Sequence, residues 1–91
     1  DCSDFIFAIY EQTDSTGHNR GFSFNNPAYK EAFLEIDSYG FETLQAIKER
    51  ASYESEDWLV IVTSDHGGIN TNHGSSSIQE RMTFTVMNSK F

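Results

Sequence analysis

At 91 residues the chain is one domain at most, and 37% hydrophobic with 14% aromatic residues is the composition of a polypeptide that folds, which excludes intrinsic disorder. Six Lys and Arg against fourteen Asp and Glu give a net charge of -8, a field that repels nucleic acid and anionic membrane surfaces, so no nucleic-acid partner is expected. Cys2 is the only cysteine, which excludes an internal disulfide and a cysteine zinc site, and no apolar run approaches the ~20 residues of a membrane span.

Residues 4–10, Asp-Phe-Ile-Phe-Ala-Ile-Tyr, are a nearly continuous apolar run with polar flanks, the pattern of a strand buried on both faces. Residues 11–26 are rich in Asn, Thr, Ser, Asp and Gly without periodicity and read as a long loop. Asn26-Pro27 then supplies an N-cap and a first-turn proline, and Phe33, Ile36, Gly40, Leu44, Ile47 and Ala51 recur at three- and four-residue steps. This predicts an amphipathic helix of roughly 25 residues, in which Gly40 marks a close approach to a sheet or a break. Residues 58–64, Trp-Leu-Val-Ile-Val-Thr-Ser, form a second β-branched apolar run, and residues 82–88 alternate well enough for a third strand. Strand, long helix, strand is a βαβ unit, so the expected class is α/β: a parallel pair with a long crossover helix, plus a third strand.

Ligands of an open parallel sheet bind beyond the carboxyl ends of its strands, and two loops fall there. One holds Asp14-Ser15-Thr16-Gly17-His18; the other opens with Asp65-His66-Gly67-Gly68 and runs to His73-Gly74. All three histidines of the chain lie in these loops, each beside a glycine. Imidazole nitrogen with carboxylate oxygen suits zinc, and glycine lets the backbone pass close to a crowded ion. Asp14, His18 and His73 would give one zinc three protein ligands and an open position, the pattern of a catalytic site. Asp65 and His66 would give a second metal only two, whereas a pair of metals ~3.5–4 Å apart is what clamps both oxygens of a phosphoryl displacement. Taken singly, each of these residues has a plainer reading: Asp14 as a turn residue, Asp65 as an Asx turn, a loop histidine as a solvated one. Glu31, Glu35 and Glu49 are read as a solvated helix face.

Ile-Val-Thr-Ser-Asp65-His66-Gly67-Gly68 followed by His73-Gly74 resembles the second metal-binding block of the alkaline phosphatase superfamily, in its nucleotide pyrophosphatase/type I phosphodiesterase or sulfatase-like branch. Tyr10-Glu11-Gln12-Thr13-Asp14-Ser15-Thr16-Gly17-His18 is similar to the Asp-x-x-x-His block of the phosphodiesterase branch. The resemblance implies that Asp14, His18 and His73 bind one zinc and that Asp65 and His66 bind the other. It implies in-line attack by a hydroxyl nucleophile on a phosphate ester, then hydrolysis of the covalent intermediate. The family's nucleophile and a further Asp match no segment here, so the chain is expected to be the C-terminal metal-binding part of a larger alkaline-phosphatase-like domain and sheet, inactive by itself. A start at Asp1 fits an excised or processed piece. The spacing of His73, seven residues after His66, is closer to sulfatase-type or bacterial phosphatase-like members. The resemblance also favours an extracytoplasmic location.

The alternative to a hydrolase is a non-catalytic module that holds one metal, or an anion at the glycine-rich loop. A serine hydrolase built on Ser76, His66 and Asp65 is weak, because adjacent Asp and His cannot easily make the orienting hydrogen bond and no Gly-x-Ser-x-Gly elbow exists. Unpaired edges of two parallel strands are expected to drive self-association by strand exchange.

Overall fold

The computed structural model describes residues 4–88, which places Cys2 outside the described part. In chain order the elements are α1 (Gln12–Arg20), α2 (Pro27–Lys48), a 3-10 turn (Tyr53–Ser55), β1 (Ile61–Thr63), α3 (Ile78–Arg81) and β2 (Thr85–Met87).

Helix α2 begins where the punctuation placed it. Asn26 has extended backbone, its Oδ1 accepts the Ala28 N–H at 3.0 Å, and Pro27 fills the first helical position, where a missing N–H is harmless. The Asn26 amide also donates to Arg20 O, so one residue ends α1 and starts α2. Phe24 folds back on this start, its ring 5.8 Å from Tyr29 and 5.1 Å from Phe33. The helix runs unbroken through Gly40, where an added Cβ would meet nothing within 4 Å. Gly40 therefore marks neither a close approach nor a break.

Helix α1 lies within the stretch expected to be a loop. Gln-Thr-Asp-Ser-Thr-Gly-His-Asn-Arg carries no apolar stripe, and no side chain caps its N-terminus. Packing holds it: α1 lies against α2, and the buried Gly17 sits so close to the Phe22 ring that a Cβ would come within 2.2 Å of Phe22 Cε1. Gly21, at φ +108, returns its N–H to Gly17 O and stops the helix.

The expected parallel βαβ unit does not form among the described residues, where the sheet is not part of a larger one. Among the described residues there is one two-stranded antiparallel sheet, with Ile61 opposite Met87, Val62 opposite Val86 and Thr63 opposite Thr85. Residues 5–10 belong to no helix or strand, and Phe5, Ile6, Phe7 and Ile9 are exposed. An apolar run shows that a segment favours burial but not which backbone will pair with it. Here β1 is claimed by β2, and side chains fix that choice. Asn88 accepts the Val60 N–H at 2.9 Å and donates to Trp58 O at 2.8 Å, while the Thr63 and Thr85 hydroxyls meet at 3.2 Å. The expected third strand over 82–88 is thus realised at its end, as the antiparallel partner of β1.

The end of α2 is joined to the approach to β1 by Glu56. Its carboxylate accepts Arg50 in a fork, at 2.8 and 2.9 Å, and the Trp58 indole N–H at 2.5 Å. The Arg50, Ser52 and Trp58 donors, with the Arg50 charge, pull the Glu56 carboxyl down to about 2 against desolvation. The apolar core is minimal. Ala32 is the only buried apolar side chain among the described residues, and no helix of these residues is long and apolar enough to cross a membrane.

Candidate metal centre

Helix α1 converts the Asp-x-x-x-His spacing into geometry. Residues four apart share one helix face, so Asp14 and His18 project together, with Asp14 Oδ1 3.6 Å from His18 Nε2. The loop after β1 brings the other two histidines to the same point. Asp14 Oδ1 lies 3.2 Å from His73 Nε2 and 3.8 Å from His66 Nε2, and His18 Nε2 is 3.0 Å from His73 Nε2. The His66 and His73 rings stack with centroids 3.7 Å apart. Asp14, His66 and His73 each offer a ligand atom within 4.8 Å of the other two. Asp65 stands at the margin: its side chain is 88% exposed, its Oδ1 caps the His66 N–H at 3.0 Å and lies 3.7 Å from His66 Nε2.

Backbone carbonyls assign the ring protons. His18 Nδ1 faces Thr71 O at 2.9 Å and His66 Nδ1 faces Gly67 O at 2.7 Å. A carbonyl only accepts, so each Nδ1 carries the proton, and in the neutral ring each Nε2 turns a lone pair toward Asp14. Asp14 Oδ1 is itself shut off from solvent without a hydrogen-bond partner. The enclosed Asp14 Oδ1 and the His18 and His66 lone pairs repel one another unless a cation lies among them. The residues therefore fit a divalent metal, and the donor set of imidazole and carboxylate is one that zinc accepts. Carbonyls that fix the far nitrogen of a ligating imidazole are the usual support of such a site. The same contact weighs against a serine triad, because His66 Nδ1 is bonded to Gly67 and not to Asp65.

Phe22, which no motif or periodicity singles out, is the backing of the cluster. Its ring is wedged between Gly17 and Gly68, where an added Cβ would come within 2.4 Å of Phe22 Cγ. It meets His18 and His73 edge-on at 5.4 and 6.0 Å, and its N–H donates to Asn70 O at 2.7 Å. Tyr29 abuts Phe22 at 5.8 Å, and burial, then the charge of Asp14, raises its hydroxyl pKa. The glycines of the site thus make room chiefly for protein. Gly17 and Gly68 admit Phe22, Gly67 admits α3, and Gly74, at φ +102 with nothing near it, supplies a backbone turn.

No curated protein and no solved structure matches the chain. A family model does, over residues 1–84, and its description is type I phosphodiesterase / nucleotide pyrophosphatase. With the Asp14–His18 helix face and the His66–His73 loop both inside that span, the chain belongs to the type I phosphodiesterase / nucleotide pyrophosphatase family, consistent with membership of the alkaline phosphatase superfamily.

Proposed function

We propose that this chain carries the metal-binding part of a zinc-dependent phosphoester hydrolase of the phosphodiesterase or phosphatase type. The observation that carries the reading is the buried, unpartnered Asp14 Oδ1 facing three imidazole Nε2 atoms at 3.2–3.8 Å. A tetrahedral ion with bonds of ~2.0 Å separates its ligands by about 3.3 Å. The Asp14, His18 and His73 atoms stand 3.0, 3.2 and 3.6 Å apart, close to that spacing. These three residues would hold one zinc. His66 and Asp65, with Nε2 and Oδ1 3.7 Å apart, would contribute to a second that needs further ligands from outside this chain.

When bound, the metal supplies Lewis-acid stabilisation of phosphoryl oxygens and a lowered pKa for water. The chain's own residues orient and insulate. Thr71 O and Gly67 O hold the His18 and His66 rings, Asp14 contributes a negative charge, and Phe22 excludes water from one side of the cluster. No nucleophile is assigned within the chain. The exposed Phe5, Ile6, Phe7 and Ile9 support its being one portion of a larger catalytic domain that covers them.

The test is hydrolysis of bis-p-nitrophenyl phosphate, p-nitrophenyl phosphate and p-nitrophenyl sulfate by the protein that carries this chain, before and after chelation and zinc restoration. Chelatable turnover of a phosphate ester, lost at least a hundredfold in Asp14→Ala and His73→Ala, is the expected result. Zinc binding that depends on these residues without turnover of any ester would assign the chain to a non-catalytic metal-binding role. Turnover indifferent to both substitutions would remove the proposal.

A further inference from the structure

Glu80 is the only buried charged or polar side chain among the described residues, at 5% exposed, and it sits on the one-turn helix α3. A turn that short gains little from itself, and its N-cap, Ser77, already accepts the Glu80 N–H at 3.2 Å. The bonds of Glu80 run instead to the two segments that carry His66 and His73. Its carboxylate accepts the Ser75 N–H at 3.2 Å and the Ser75 hydroxyl at 2.5 Å, two residues past His73. It also accepts the Ser77 hydroxyl at 2.5 Å and the Ser77 N–H at 3.3 Å. Its main-chain carbonyl accepts the Gly67 N–H at 2.9 Å, one residue past His66. Contact there is close enough that a Cβ on Gly67 would fall 2.0 Å from Gln79 O.

We infer that Glu80 is a positioning residue of the candidate metal centre, fixing the separation of His66 and His73 by tying the backbone beyond each of them to α3. The inference rests on the metal-site reading above. The two imidazoles face each other across a loop closed by the single Ile69–Asn72 bridge, and Gly74 with φ +102 gives that loop no stiffness. Without the Glu80 ties, the stacking distance of the two rings is left to that bridge, to the contact of Thr71 O with His18, and to Phe22 with its bond to Asn70 O. A carboxylate suits this task because it accepts four bonds at once and donates none. A buried carboxylate without those donors would be costly, so the Ser75 and Ser77 groups and Glu80 hold one another in place.

Cobalt(II), whose visible absorption reports coordination geometry, is titrated into the full chain and into Glu80→Gln, Ser75→Ala, Glu56→Gln and His73→Ala. Far-UV circular dichroism establishes which variants are folded. Glu56 is the control, a carboxylate equally rich in hydrogen bonds but bonded to Arg50 and Trp58 and not to the histidine loop. Loss of fixed outer partners typically weakens a metal site ten- to a hundredfold. The expected result is that weakening in Glu80→Gln and Ser75→Ala with an altered visible band, wild-type affinity in Glu56→Gln, and no site in His73→Ala. If Glu80→Gln fails to fold, Ser75→Ala, which keeps the α3 capping box, decides alone. Wild-type affinity and spectrum in both variants, with His73→Ala still inactive toward cobalt, overturn the inference and leave the metal site standing. Cobalt binding unaffected even by His73→Ala overturns both.

Discussion

Replacing Gly67 with alanine inserts one methyl group between the histidine loop and α3. Its Cβ would lie 2.0 Å from Gln79 O, 2.9 Å from Met82 O and 3.1 Å from Gln79 C. These are backbone atoms, so no side-chain rotation relieves the overlap. Ordinary contact starts at 3.4 Å, which requires α3 and the Gly67 backbone to part by roughly 1.4 Å. A displacement of that size breaks the 2.9 Å bond from the Gly67 N–H to Glu80 O and carries the adjacent His66 ring away from Asp14. Overpacking of this kind with loss of one hydrogen bond costs about 2–4 kcal/mol. Gly40→Ala is the matched control, since its methyl meets nothing within 4 Å inside α2. It stabilises by about 1 kcal/mol through helix propensity, a rise of about 4–8 °C in Tm for a domain this size. Calorimetry and zinc titration on both variants decide the matter. Gly67→Ala is expected to lower Tm and weaken zinc binding at least tenfold while Gly40→Ala raises Tm and leaves binding alone. A Gly67→Ala protein as stable and as zinc-competent as wild type would refute the placement of α3 against the loop.

Acid should destabilise the fold in a defined window. The Glu56 and Glu80 carboxyls are held down to about 2 in the folded chain against an ordinary 4.5, so the unfolded chain binds more protons between those values. The stability they confer is complete above about pH 4.5 and is lost as pH falls toward 2; Glu56→Gln and Glu80→Gln should each flatten a denaturation midpoint plotted against pH in that range. Asn26→Ala removes the α2 cap and the amide tie to Arg20 O, and should cost about 1 kcal/mol in urea unfolding, with Asn26→Asp retaining the cap. Exposed Phe5, Ile6, Phe7, Leu59, Ile61 and Val62 should make the isolated chain associate with rising concentration in light scattering, and Phe5→Ser with Phe7→Ser should reduce that association.

Helix α2 was legible because its signals are local: a capping Asn26, a first-turn Pro27 and apolar positions at helical spacing. Helix α1 was not, because its hold comes from Gly17 against Phe22 and from α2, which no nine-residue window contains. One signal was present, since a carboxylate and an imidazole four apart are what a helix face would bring together. The strand directions failed for a different reason. Apolar runs at 4–10 and 58–64 record a preference for burial, whereas pairing is decided by which backbone arrives, and Asn88 and Thr85 deliver residues 85–87 antiparallel to β1. Residue chemistry singles out Asp14, His18, His66 and His73, but the parallel sheet expected to gather them is absent from the described residues. Their helix and loop converge on Phe22 instead of on the edge of a parallel sheet. Asp65, 88% exposed, stands at the margin of that cluster.

Zinc K-edge X-ray absorption on the zinc-loaded protein tests most directly whether these side chains hold a metal. The expected spectrum shows nitrogen and oxygen neighbours at about 2.0–2.1 Å with outer-shell scattering from imidazole, and it loses the imidazole signal when His18, His66 and His73 are replaced together. A first shell of water oxygens alone, or a spectrum unchanged by removal of the three histidines, would contradict metal binding by these side chains.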